Sequence, residues 1–198
     1  MAEVNSTFNI KVGQSAPDFT LPDGLGDSVS LQEAKGSKGT LIIFACNHCP
    51  YVVMLAKALG EFANKVASKG INTIAISSND IENYPQDRPE LMVEFAKESG
   101  WDFPYLYDAS QEIAHAYSAA CTPDFYLFDG ELKLTYAGQF DSSRPAKYGG
   151  QGEPTGEDLM AAVEALLQGN APVDRQIPSA GCNIKWKAGN EPNYFLNR

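Results

Sequence analysis

Cys46-Asn47-His48-Cys49-Pro50 sets two thiols at Cys-x-x-Cys spacing, with an imidazole between them and a proline behind. Such a pair can close into a disulfide and reopen, and a thiolate of the pair is a nucleophile. The apolar run Leu41-Ile42-Ile43-Phe44-Ala45 precedes it. Val52, Val53, Leu55, Ala56, Leu59, Phe62, Ala63 and Val66 follow with helical periodicity. A strand feeding a helix therefore places the pair at a helix N-terminus, where unpaired N–H groups and the helix dipole stabilise negative charge. His48 either lowers a neighbouring thiol's pKa when charged or serves as a partly exposed spacer. A zinc site would want two more ligands at suitable spacing. His48 differs in direction from the cysteines, and Cys121, Cys182 and His115 stand singly, so no metal is expected. An inert buried pair conflicts with the polar Asn47-His48 insert and with Pro50, which suits a first helical turn near a surface.

The chain has 198 residues, enough for one domain whose core needs no disulfide scaffold. Its formal net charge of -10 argues against nucleic acid and anionic membrane as partners. No apolar run is long enough to cross a bilayer. Met1 to Thr7 lacks the basic and apolar regions of a signal peptide. The expectation is a cytoplasmic protein, where cysteines read better as chemistry or buried thiols than as staples.

The elements that must position the pair follow in order. Val29-Ser30-Leu31 alternates as a short strand, 41–44 is the strand before the cysteines, and the helix behind them runs to about Ser68 with Gly70 past its end. Ile71-Asn72-Thr73-Ile74-Ala75-Ile76 is a further strand, parallel to the first through a right-handed crossover. Asp87 and Glu90 have capping-box spacing before a helix carrying Leu91, Met92, Phe95 and Ala96. Asp108 and Gln111 repeat it before a short helix. Phe125–Phe128 and Leu132–Tyr136 form a hairpin across Asp129-Gly130. Residues from Thr155 to Asp158 cap a last helix, which Gly169 stops. The order predicts a mixed sheet with helices on both faces. Residues 1–170 form the domain, and 171–198 are a tail wrapped on it, pinned by Ile184, Trp186, Tyr194 and Phe195. Such an apolar strip could also support a homodimer.

Cys-x-x-Cys after the first core strand, with Thr122-Pro123 before the hairpin, resembles a thioredoxin fold, an α/β three-layer sandwich. Ala16-Pro17-Asp18-Phe19-Thr20-Leu21, Ser77-Ser78-Asn79-Asp80, Cys121-Thr122-Pro123-Asp124-Phe125 and Gly181-Cys182-Asn183-Ile184-Lys185-Trp186-Lys187 resemble a peroxiredoxin-like subfamily of the alkyl hydroperoxide reductase/thiol-specific antioxidant superfamily. The thioredoxin template implies that Cys46 attacks and Cys49 resolves. The peroxiredoxin template implies that Cys49 is peroxidatic, but its helper threonine falls at Cys46 and its proline at Ile42. Arg144 is the one candidate for its helper arginine after the hairpin. Pro123 resembles the cis-proline that faces the thiols, where backbone groups of Thr122 can pair with a bound peptide strand.

The resemblance implies a thiol–disulfide oxidoreductase, re-reduced by a cellular dithiol, with a protein disulfide or a peroxide as substrate and no bound cofactor. The alternatives are a hydroperoxide peroxidase using Cys49 and a redox-inert protein-binding module. Cys121 is read as a small buried residue before a third redox thiol, and Cys182 as a packed thiol unless the tail folds back. His115 is structural. Trp101 and Phe103 belong to the core or rim the thiols.

Overall fold

Leu41 and Ile43 face one way from their strand, and Ile42 and Phe44 face the other. This period-two alternation gives the sheet two buried faces and calls for helices on both. The computed structural model describes residues 3–150, 152–174 and 176–196. Its strands are β1 (Glu3–Asn5), β2 (Thr20–Pro22), β3 (Ser28–Ser30), β4 (Gly39–Phe44), β5 (Ile71–Ser77), β6 (Tyr105–Tyr107), β7 (Cys121–Thr122), β8 (Asp124–Asp129), β9 (Leu134–Gly138) and β10 (Ala180–Asn183). Its helices are α1 (Leu31–Ala34), α2 (Pro50–Ala67), α3 (Pro89–Ser99), α4 (Glu112–Ala116), α5 (Glu157–Leu167) and α6 (Asn193–Leu196).

The central sheet runs β6-β5-β4-β8-β9, with β6, β5 and β4 parallel, β8 antiparallel to β4, and β9 antiparallel to β8. Helices α2, α3 and α5 cover the Leu41 face; α1, α4 and the tail side chains Ile184 and Trp186 cover the Ile42 face. This is the thioredoxin-like three-layer sandwich. The Thr122–Pro123 peptide is cis. Gly70 and Gly100 follow their helices at φ +88° and +68°, the left-handed conformation that suits glycine there.

The expected helix caps differ. The N-cap residues of α3, α4 and α5 are Arg88, Gln111 and Gly156; the first two make no side-chain capping bond, and glycine has no side chain to make one. The aspartates read as caps answer tertiary demands instead. Asp87 turns toward the cysteine loop. Asp108 Oδ2 accepts from Ser78 Oγ (2.9 Å) and Ala114 N–H (3.0 Å). At α5, Asp141 Oδ2 takes the N–H groups of Thr155 and Gly156 (2.6 and 2.7 Å). Buried N–H groups need an acceptor, and each carboxylate goes where such groups are otherwise orphaned. A real capping box, Ser30 with Glu33, opens α1, where the sequence suggested only a strand.

The tail forms a strand. β10 lies between β1 and β7 in a second, three-stranded sheet, with Cys182 opposite both Glu3 and Thr122. Ile184 and Trp186 are buried, and Tyr194 and Phe195 pack partly against the same cluster. Arg175, Asn197 and Arg198 lie outside the described residues. A Cβ on Gly181 would overlap the Thr122 carbonyl, which is backbone and cannot rotate away. Gly181→Ala should therefore cost about 2 kcal/mol of stability by overpacking. Urea unfolding measures the loss, and hydrogen exchange should show it concentrated in residues 180–186. Unchanged stability and exchange would mean that β10 does not sit this tightly on Thr122.

Candidate active site

Helix α2 begins at Pro50, so its N-cap residue is Cys49 and not Cys46. The proline at the first helical position has no N–H to lose and carries a suitable φ, which fixes where the helix starts. Cys46 stands three positions earlier, on the loop leaving β4. Both cysteines are buried, contrary to a surface position for the pair. Thr122 of the cis-proline turn holds them from the opposite side. Its Oγ1 lies 3.4 Å from Cys46 Sγ, and its carbonyl oxygen accepts from the Cys49 thiol at 3.0 Å.

Cys182 joins them from β10: it stands opposite Thr122, and all three cysteines belong to one buried cluster. Cys49 thus has a thiol on either side. Burial alone pushes its pKa up. Hydrogen bonds from Cys182, Cys46, Thr122 and the Val52 N–H outweigh that and hold it well below an ordinary thiol. The Thr122 carbonyl at 3.0 Å works against this, because it favours the protonated form. The helix-terminal N–H and two thiol donors together outnumber that one acceptor, so the charge belongs on Cys49. Cys46 moves the other way: burial, its bond to Cys49 and the negative charge of Asp87 raise it. Cys182 is likewise raised, first by its hydrogen bond to Cys49 and then by burial.

Asp87 organises the loop between the cysteines. Its carboxylate is fully buried and accepts three bonds: Asn47 N–H (2.9 Å), His48 Nδ1 (2.6 Å) and Asn79 Nδ2 (2.8 Å). A carboxylate only accepts, so Nδ1 carries the proton, and Nε2 is left buried without a partner. His48 stacks on Tyr84 at 5.7 Å with ring planes 9° apart, and Lys185 Nζ stands over that tyrosine. Asn47 Oδ1 accepts from the Tyr105 hydroxyl at 3.1 Å. Asn79 Oδ1 in turn accepts from Lys185 N–H at 2.8 Å, which ties the tail to the same hub. None of Asp87, Asn79, Tyr84, Tyr105 and Lys185 was read as a site residue in the sequence: Asp87 was read as a helix cap, and Asn79 and Lys185 only as parts of the strings that carry the family resemblance.

One ligand atom each of Cys46, His48 and Asp87 falls within 4.8 Å of the others, so the trio could hold a metal ion. A metal on this carboxylate would compete with its bonds to His48 and Asn79. The remaining candidates stand elsewhere. Cys121 points to the other side of β7 from Thr122, toward Pro123 O and Ser179 O. His115 bonds Asn190 O at 2.7 Å and packs on Trp186. Trp101 and Phe103 stack on each other, and the Trp101 indole donates to Ala56 O, so they serve the core and not a thiol rim. Arg144 shares a recess with Pro123 and Tyr51. Its guanidinium is bonded to Gln139 Oε1, Ser143 O and Asp141 O, not to the thiols.

Residues 12–137 match the AhpC/TSA family. An uncharacterized conserved protein from Geobacillus kaustophilus superposes with a TM-score of 0.88 at 48% identity, covering 94% of this chain and 97% of that one. Thiol-disulfide oxidoreductase ResA of the same organism is 28% identical over 132 residues, 65% of this chain and 71% of that protein. Peroxiredoxin Bcp of Escherichia coli is 24% identical over 129 residues, 64% of this chain and 78% of that protein. The sandwich, the buried thiols beside a cis-proline turn and these relatives lead to one conclusion: the chain is a thioredoxin-fold member of the AhpC/TSA family and a thiol-dependent oxidoreductase.

Proposed function

We propose that the protein is a thiol–disulfide oxidoreductase in which Cys49 attacks and Cys46 resolves. The observation that carries this reading is the place of Cys49 at the head of α2, with thiol donors on both sides. It reverses the roles implied by the thioredoxin template. Cys49 displaces one sulfur of a disulfide substrate and becomes a mixed disulfide. Cys46 loses its proton as its sulfur attacks Cys49, the second substrate sulfur leaves, and a cellular dithiol later reopens the Cys46–Cys49 bond. The raised pKa of Cys46 keeps it protonated until that step. His48, Thr122 and Pro123 are positioning residues in this scheme: the first orders the loop through Asp87, and the other two hold both sulfurs from the opposite wall. A cytoplasmic setting, with its reducing thiols, belongs to the same proposal.

Intact mass before and after a mild oxidant tests it. Loss of two hydrogens, with the bond mapped to residues 46 and 49, is expected. No bond at Cys49 would end this reading. A second reading, reduction of a small hydroperoxide at Cys49, is favoured by the burial of the sulfur, which admits small molecules most easily. Under it, the Cys46→Ser/Cys182→Ser double variant, which has no resolving thiol, should accumulate sulfenic acid at Cys49 when treated with peroxide.

The two thiols should also separate by pH. A lowered pKa means that Cys49 is already thiolate at neutrality. Its alkylation by a small reagent should stay near the full rate from about pH 8 down to about pH 6, where an ordinary thiol of pKa ~8.5 loses most of its reactivity. Cys46, raised instead, should stay unreactive up to about pH 9. Mass-resolved alkylation of each peptide measures this. A Cys49 rate falling tenfold per pH unit below 8 would show an unshifted thiol.

A further inference from the structure

The edge of β7 beside the cis-proline turn, where a substrate peptide could add as a strand, is already taken. β10 lies along it antiparallel, with Cys182 opposite Thr122 and Asn183 opposite Cys121. Ile184 N–H continues to Ala120 O at 3.1 Å, and Lys185 bonds through its N–H to Asn79 and through its carbonyl to Asp80 N–H. β1 covers the far side of β10. Gly181, without a Cβ, lets the strand close directly on the Thr122 carbonyl. The chain's own tail therefore sits where a strand-forming partner would, and it brings a cysteine to the site.

That cysteine is placed for chemistry. Cys182 pairs across the ladder with Thr122, whose carbonyl accepts from the Cys49 thiol at 3.0 Å, and Cys46, Cys49 and Cys182 lie in one buried cluster.

We propose that Cys182 is a second resolving thiol, held against Cys49 by the tail strand, and that the disulfide reaching this site is of low molecular weight because the strand-binding edge is filled. The inference rests on the assignment of Cys49 as the attacking sulfur. The Cys49 thiolate attacks a small disulfide RSSR; the Cys49–SR bond forms and RS⁻ leaves. The Cys182 sulfur then attacks Cys49, its proton passes to the departing sulfur, and the second RSH leaves. Net, RSSR takes two electrons from the two cysteines, one proton from Cys182 and one from solvent, and becomes two RSH, and Cys49–Cys182 becomes a disulfide. Cys46 can then exchange with that bond and free Cys182, so the tail thiol relays oxidation to the Cys-x-x-Cys pair.

Oxidised glutathione serves as the probe, with the full chain and its Cys46→Ser, Cys182→Ser and double variants. Cys46→Ser is expected to form a mapped Cys49–Cys182 bond and to release its glutathione. The double variant is expected to hold the mixed disulfide at Cys49, with release at least about 100-fold slower, because the intramolecular thiol is lost. Circular dichroism shows whether the variants are folded, and serine keeps the size of cysteine. If Cys46→Ser instead holds the mixed disulfide as long as the double variant does, Cys182 is not a resolving thiol, although the Cys46–Cys49 reading survives. If the wild type takes up no glutathione at Cys49 and forms no bond there, the underlying assignment has failed. A long unfolded protein disulfide turned over as fast as oxidised glutathione would overturn the substrate class.

Discussion

Cys49→Ser is expected to abolish thiol-dependent turnover, by at least about 1,000-fold, because the attacking group is removed and the neighbouring thiols of Cys46 and Cys182 are held protonated. Cys46→Ser should behave differently. It keeps the thiolate at the helix head, so single-turnover attack on a small disulfide continues while the normal resolved product does not form. The serine hydroxyl still offers Cys49 a hydrogen bond, so the alkylation profile of Cys49 should shift little. The comparison is made by single-turnover release of the first thiol, read separately from disulfide formation. If Cys49→Ser retains the burst and Cys46→Ser loses it, the roles are those of the thioredoxin template and the helix-cap argument is wrong.

Asp87→Ala should be the most damaging change outside the thiols. It strips the partner from three donors, Asn47 N–H, His48 Nδ1 and Asn79 Nδ2. Orphaned buried donors cost roughly 1–3 kcal/mol each, and partial relaxation leaves an expected loss of about 3 kcal/mol. Asp87→Asn separates charge from shape. It removes the negative charge that helps to raise Cys46, so the Cys46 pKa should fall toward that of an ordinary thiol. Chemical denaturation gives the first effect, and ultraviolet thiolate absorbance in a Cys49→Ser background gives the second. A Cys46 titration unmoved by Asp87→Asn would remove the carboxylate from the electrostatics of the site.

Local pattern carried much of the fold. Leu41 to Phe44, the α2 stripe and Ile71 to Ile76 were legible because period two and period 3.6 differ sharply over those lengths. Thr122-Pro123 was legible through its resemblance. Asp87 was read as a helix cap because Asp-x-x-Glu looks the same whether the carboxylate caps its own helix or turns to another loop. Only the tertiary need of the Asn47 and His48 donors decides between the two. Asn79 lay inside a quoted string, Ser77 to Asp80, with no local property to mark it as the link between tail and hub. The tail's apolar residues pointed to docking, yet β10 itself was missed. Its short Ala-Gly-Cys-Asn run has neither alternation nor β-branched residues, and its pairing comes from register with β7 and β1. With register unread, Cys182 stood alone in the sequence, and a solitary cysteine is most simply a packed one.

The strand that completes the thiol site follows the β4–α2 unit by more than a hundred residues, and its outer neighbour β1 precedes that unit. A nascent chain that has already built the β4–α2 unit therefore carries both loop cysteines without their cover until residues 180–187 emerge and dock. During that interval Cys49 has its helix-end N–H groups but lacks the third sulfur, and it faces water that the finished molecule excludes. The site matures by ordering of the tail, and the newborn protein is at its most open to adventitious oxidation until residues 180–187 dock.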